Sequence, residues 1–240
     1  MDTAFYARVF TALFDGLWIT IFLLVTTSIA GNAAALGVAL ARSSQRAVVR
    51  LPAIAFIEVI RGTPLLVQMF IIYYGLGQFR EVRASFLWPI LREPLWCAFI
   101  ALTISTAAYS GEVLRAAIQN VPRGLTEAGK SMGMGKWQIR LTIVLPLAIR
   151  QSLPVLANET VLLLKASAIV FTITVRDIMG EANILRSQTF RVYEPLLAAA
   201  VLYLSLTFVI RQGFGLLEGR MNRHLLRSPA KSAVALPEAR

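Results

Sequence analysis

The 240-residue chain contains one cysteine, Cys97, and one histidine, His224. One thiol cannot close a disulfide within the chain, and Cys97, in an apolar run beside Trp96, reads as a packed small side chain. One histidine leaves no zinc cluster and no Ser-His-Asp arrangement to assemble from these side chains. Charge is scarce too: 15% of residues are Asp, Glu, Lys or Arg, against about a quarter in a soluble domain. In its place stand 57% hydrophobic residues and a mean hydropathy of +0.65. This balance excludes an ordinary soluble enzyme and indicates an integral membrane protein.

Crossing a hydrocarbon layer of about 30 Å takes roughly 20 helical residues. Five runs are long enough: about Leu17 to Leu40, Leu51 to Gly75, Leu95 to Leu114, Ile143 to Phe171 and Leu196 to Phe214. The expected fold class is therefore all-α, with five transmembrane helices. The first run is uncharged, lacks a short basic leader and exceeds a signal-peptide core, so it reads as a retained helix. The stretch from about Ser228 lacks apolar periodicity and reads as part of a disordered basic tail.

Acid is the scarcer sign, with 13 acidic against 24 basic residues and a net charge of +11. With the amino terminus outside, the inner segments carry 15 cations, from Arg42 to Arg140 and on to the tail. The outer segments carry seven, offset by seven acids. The positive-inside rule therefore places the amino terminus outside and the carboxyl terminus inside. The basic excess reflects this topology and anionic lipid, with no nucleic-acid partner expected.

Between the third and fourth runs lies a polar segment, Glu127-Ala128-Gly129-Lys130-Ser131-Met132-Gly133, which continues through Trp137 to Ile143-Val144-Leu145-Pro146. A helix starting near Pro122 to Thr126 would place Glu127 in its first turn and leave a bare face at Gly129 and Gly133 for a partner to approach. This spacing resembles the EAA loop of importer permeases in ATP-binding-cassette (ABC) systems, the cytoplasmic helix that docks on the ATPase. Glu58 to Gln68, Ile72 to Gly75, Tyr109 to Arg115 and Asn158 to Lys165 extend the resemblance to permeases for polar amino acids. Ser85 to Arg92 and the Trp96-Cys97 pair are similar to M-type subunits of histidine and opine (octopine, nopaline) uptake systems.

The same loop satisfies the P-loop pattern G-x-x-x-x-G-K-[ST] from Gly124 to Ser131. A nucleotide site needs a buried strand before that loop and an α/β domain around it, and this chain offers neither.

The resemblance implies a type I importer permease in a bacterial inner membrane. Its parts would be a periplasmic segment 1–16, a transmembrane domain 17–218 with a coupling loop at about 120–142, and a cytoplasmic tail 219–240. Its partners would be ABC ATPase subunits, a second, similar but non-identical permease and a periplasmic solute-binding protein. ATP and Mg²⁺ would sit on the ATPase, so this chain would bind no cofactor or metal and catalyse nothing. Coupling would fall to Glu127, Ala128, Gly129, Gly133, Met134, Trp137 and Pro146.

Ionisable residues inside a membrane are costly, so they mark candidate solute contacts. Glu58 and Arg61, three apart, either neutralise each other at a helix break made by Gly62 and Pro64 or meet solute. Glu112 pairs with Arg115 near the inner interface or faces the path, while Asn158, Glu159 and Lys165 line the path or hold helices together. Thr63, Gln68, Tyr109 and Ser167 complete the candidate path. Two departures from the family pattern stand out: Leu125 where many relatives have glutamine, and Lys165-Ala166-Ser167-Ala168 where a carboxylate usually follows the lysine. Two other function classes also fit parts of the chain: a gradient-driven transporter or channel using the buried carboxylates, and a membrane scaffold recruiting a cytoplasmic protein through the Glu127 loop.

Overall fold

A computed structural model describes residues 3–221, so most of the expected tail, 219–240, lies outside the described residues. Among them there is no strand. The helices are α1 (Thr3–Arg42), α2 (Ala47–Gly62), α3 (Leu65–Phe70), α4 (Arg80–Arg83), α5 (Trp88–Leu91), α6 (Pro94–Gln119), α7 (Arg123–Ser131), α8 (Lys136–Ile139), α9 (Leu145–Ser167), α10 (Ile178–Thr189) and α11 (Tyr193–Met221). Wide π-type turns at Ile71–Gly75 and Arg140–Val144 and 3₁₀ turns at Leu76–Gln78 and Val170–Ile173 join some of them.

Four helical stretches are long and apolar enough to cross a membrane, and α2 with α3 makes a fifth if the bent pair is one span. That span is broken, unlike the single run expected from Leu51 to Gly75: the chain turns by 104° between Gly62 and Leu65. Proline drives its predecessor out of the helical region, and Thr63 is extended at φ −117°, ψ 144°. The turn is stapled locally. The Gln68 amide donates to Ile60 O at 2.7 Å, Thr63 O at 3.1 Å and Thr63 Oγ1 at 2.8 Å, and the Thr63 hydroxyl donates to Val59 O at 2.8 Å.

The first helix also differs from expectation. Residues 3–16 continue α1, giving 40 helical residues, or about 60 Å at 1.5 Å per residue. Its C-terminal half packs against α6 through small side chains. Ala35, Ala39, Ala107, Ala108 and Gly111 are buried, and a Cβ on Gly31 would lie 2.6 Å from Thr106 Cβ. Small residues let membrane helices approach closely, since lipid supplies no hydrophobic drive.

The main core cluster joins α1, α3, α6 and α9 through Leu23, Met69, Cys97, Leu102 and Leu164. Cys97 is buried there, its thiol donating to Leu91 O at 3.1 Å. A second cluster fastens α10 and α11 to the N-terminal half of α1 through Val9, Leu13, Ile178, Leu185 and Ala199.

Candidate translocation groove and coupling loop

A groove of about 310 Å³ runs between α3, α6 and α9. Its apolar wall comes from Leu65, Leu102, Leu162, Leu163 and Ala166, and its polar groups are Ser105, Thr106, Tyr109, Ser110 and Glu159. At its edge the Arg61 guanidinium stands over the Tyr109 ring, 5.2 Å from the centroid. The Arg61 charge also reaches the carboxylates of Glu112 and Glu159. Guanidinium, phenol and carboxylate thus come from three helices that are far apart in sequence.

The expected Glu58–Arg61 pair does not form: Glu58 is exposed and Arg61 turns to Tyr109. Three-residue spacing permits the pair but does not require it. Glu112 pairs with Arg115. Arg115 Nε donates to Glu112 Oε1 at 2.7 Å, and Arg42 Nε lies 3.1 Å from Oε2, so the pair ties α6 to α1. Gln119 holds the Arg115 guanidinium from one turn further on.

The remaining candidates do not gather at the groove. Thr63 and Gln68 staple the bend, and Gln68 Oε1 is buried without a partner. Asn158 opens on a separate hollow of about 280 Å³ between α9 and α11, with Arg211 and Glu218. Lys165 is exposed, and Ser167 is buried with its hydroxyl donating to Leu164 O at 2.8 Å. Asn158 and Glu159 are neighbours, so a helix turns them about 100° apart and they face different surfaces.

The candidate coupling segment is α7, a turn, and α8. Helix α7 begins at Arg123, which moves Glu127 from the expected first turn into the second, exposed and with no acidic residue before it. The two glycines serve the chain itself. Gly133 follows the helix end at φ +78°, a conformation costly for other residues. Gly129 is buried, and a Cβ there would sit 3.1 Å from Ile139 Cγ1 and from Ile143 Cδ1. At Gly129 the expected bare face is thus filled by α8 and the turn after it, while the space beside Gly133 is open. Met132 and Trp137 are 80% and 69% exposed, and Met134 is half-buried. Pro146 is the second residue of α9, which starts at Leu145 directly after the wide turn Arg140–Val144.

One buried site escaped the sequence reading. Asp177 caps α10, its Oδ1 accepting from the Gly180 amide at 2.9 Å and its Oδ2 from the Tyr203 hydroxyl at 3.1 Å. Beside it Thr20 Oγ1 accepts from the Ile178 amide at 3.2 Å. Burial pushes the Asp177 carboxyl up from 3.8 to about 6, against the lowering pull of those hydrogen bonds. An Asp three residues before a glycine was the only local signal. Next to it Arg176 binds Glu181 at 2.8 and 3.2 Å, and that carboxylate raises the Arg176 pKa.

Residues 31–223 match the family described as binding-protein-dependent transport system inner membrane component. The chain belongs to that family. This permease is 43% identical to the octopine transport permease protein OccM of Rhizobium radiobacter over 95% of both chains. It is 38% identical to the nopaline permease protein NocM of Agrobacterium fabrum, over 94% of each chain. The histidine/lysine/arginine/ornithine permease protein HisM of Escherichia coli K12 is 35% identical, over 88% of this chain and 90% of its own. A chain from the crystal structure of an amino acid ABC transporter with histidines superposes with a TM-score of 0.80 at 34% identity, covering 92% of this permease and 99% of that chain. The MetNI methionine ABC transporter shares the fold at 17% identity and a TM-score of 0.74. The all-helical permease fold is borne out, and family membership decides against a gradient-driven carrier and a scaffold.

Proposed function

We propose that this permease lines the import path for a cationic or zwitterionic amino acid or an opine and converts ATPase motion into access. The observation that carries the reading is the groove itself, found in a chain similar from end to end to opine and basic amino-acid permeases. An α-amino acid carries a carboxylate and an ammonium. Arg61 matches the first and Glu159 the second, and the Tyr109 face supports either guanidinium or aliphatic stem. The apolar wall accepts the methylene chain. Thr63, Gln68, Glu58, Asn158, Lys165 and Ser167 shape or flank this path from outside the groove.

The exposed Glu127, Met132 and Trp137 side of α7 and α8 would enter a cleft on separate ABC ATPase subunits, which bind ATP and Mg²⁺. A second, similar permease would close the groove's open side, and a solute-binding protein would deliver from the periplasm. The amino terminus would be periplasmic and the carboxyl terminus cytoplasmic. Nucleotide-driven closure would move α7, and through Gly129 packed on Ile139 and Ile143 the motion would reach α9, which carries Glu159. The cycle is alternating access, with ATP binding shifting the population of two states.

The test separates path from coupling. In cells carrying the whole transport system, Glu159→Gln should lower uptake of labelled octopine or arginine by about tenfold or more, the scale of a lost charge-assisted hydrogen bond. The ATPase should still copurify. Glu127→Arg should instead lose the ATPase from the purified complex. Normal uptake by the Glu159 variant would remove the groove from the path.

A further inference from the structure

Lys130, Lys136 and Arg140 meet around a hollow of about 650 Å³ behind the coupling helix, with Trp137, Thr126 and Gln45 in its wall. The wall of the hollow carries no Asp or Glu. Arg140 stacks over the Trp137 ring at 5.6 Å, which holds its guanidinium at the rim. The widened turn Arg140–Val144 supplies two of the lining residues, and such turns mark functional positions in helices.

Position decides what kind of anion fits. Lys136 is the first residue of Lys136–Ser167, a stretch long and apolar enough to cross a membrane, so the cations stand at the polar end of that stretch. Trp137 and Leu141, 69% and 59% exposed, flank that end, the one an interfacial residue and the other apolar. The sequence from Gly124 to Ser131 that meets the letters of a phosphate-binding loop is helical here, yet its Lys130 is one of the three cations. We propose that this hollow seats the phosphate of an anionic phospholipid, with the headgroup among Lys130, Lys136 and Arg140 and the acyl chains along Leu141 and Val144. The lipid would wedge between α7 and the start of α9 and stiffen the link that carries ATPase motion. The proposal rests on the assigned orientation only in putting the hollow on the cytoplasmic side, and lipid retention reads out regardless of that side.

The experiment is native mass spectrometry of the permease purified with its accompanying subunits, titrated with phosphatidylglycerol or phosphatidylcholine of matched chains. Phosphatidylglycerol should be retained about fivefold or more over phosphatidylcholine, as a basic interfacial pocket requires. That preference should vanish in the Lys130→Gln/Lys136→Gln/Arg140→Gln variant and persist in Lys130→Arg/Lys136→Arg/Arg140→Lys. It should also persist in Arg80→Gln/Arg83→Gln, a change on the opposite loop. If the triple glutamine variant does not assemble, Lys136→Gln and Arg140→Gln alone should each weaken the preference. Equal retention of both lipids, or unchanged retention in the glutamine variants, overturns the proposal. Displacement of the lipid by equimolar glycerol phosphate would assign the site to a soluble anion and overturn it as well.

Discussion

Asp177 shows how one side chain can be both structural anchor and liability. Its folded pKa of about 6 lies above the ordinary 3.8 because burial disfavours the charge. Between about pH 4 and 6 the folded chain therefore holds more protons than the unfolded one. The carboxyl's contribution is full below about pH 4 and is lost as pH rises through about 6, by about 3 kcal/mol in all. Asp177→Asn keeps an acceptor for the Gly180 amide and does not titrate. Relative to that variant, the wild-type melting temperature should fall as pH goes from 4 to 7; parallel profiles would show that the carboxyl does not titrate in this range. Gly129 makes a second case. A methyl group there needs only a few tenths of an ångström from two flexible isoleucine ends. Gly129→Ala should keep most transport, whereas Gly129→Leu should cost about 1–3 kcal/mol by overpacking and uncouple ATP hydrolysis from uptake. Thermal unfolding and uptake assays on both variants check this.

The bent pair α2–α3 and the proposed coupling helix α7 are the elements whose local geometry makes the sharpest predictions. A break at membrane depth frees carbonyls that lipid cannot satisfy, and the Gln68 amide covers those of Ile60 and Thr63. Gln68→Leu should strand both at a cost of about 1–3 kcal/mol and reduce uptake, while Gln68→Asn, one methylene shorter, should rescue only part. Calorimetry in detergent beside uptake measures the two effects. Helix α7 has nine residues, too few to hold together without tertiary support. Gly129 against Ile139 and Ile143 and the αL residue Gly133 supply it, packing α7 onto α8 and the turn that leads into α9.

The described residues are built on α1, whose C-terminal half meets α6 and whose N-terminal half meets α10 and α11. A Cβ at Gly16 would come 2.6 Å from the Asp177 carbonyl, so even Gly16→Ala should displace α10 and halve the yield of folded protein or worse. Detergent size-exclusion of that variant gives the answer. Orientation is open to direct measurement, because the only native thiol is buried and can be replaced. In a Cys97→Ala background, Ser187→Cys in α10 should react with an impermeant maleimide on intact cells. Ser131→Cys at the end of α7 should react only after permeabilisation. The reverse pattern would invert the proposed topology.

Composition and run length by themselves determined the membrane class, the all-helical architecture and the approximate spans, because the bilayer imposes a length and an apolarity on any helix that crosses it. The distance-linked residues from Glu127 to Pro146 are local and so visible along the chain, and they marked the segment proposed above to couple to the ATPase. Which polar groups meet was decided only by the tertiary structure. Glu58 and Arg61 share a helix, but the Thr63–Pro64 bend and the rotation of α6 give Arg61 to Tyr109. Asp177, Tyr203 and Thr20 come from three distant segments, and no spacing rule joins them. Helical periodicity fixes neighbours within one helix; contacts between helices depend on their rotation and close approach, which small residues such as Gly31 and Gly16 set.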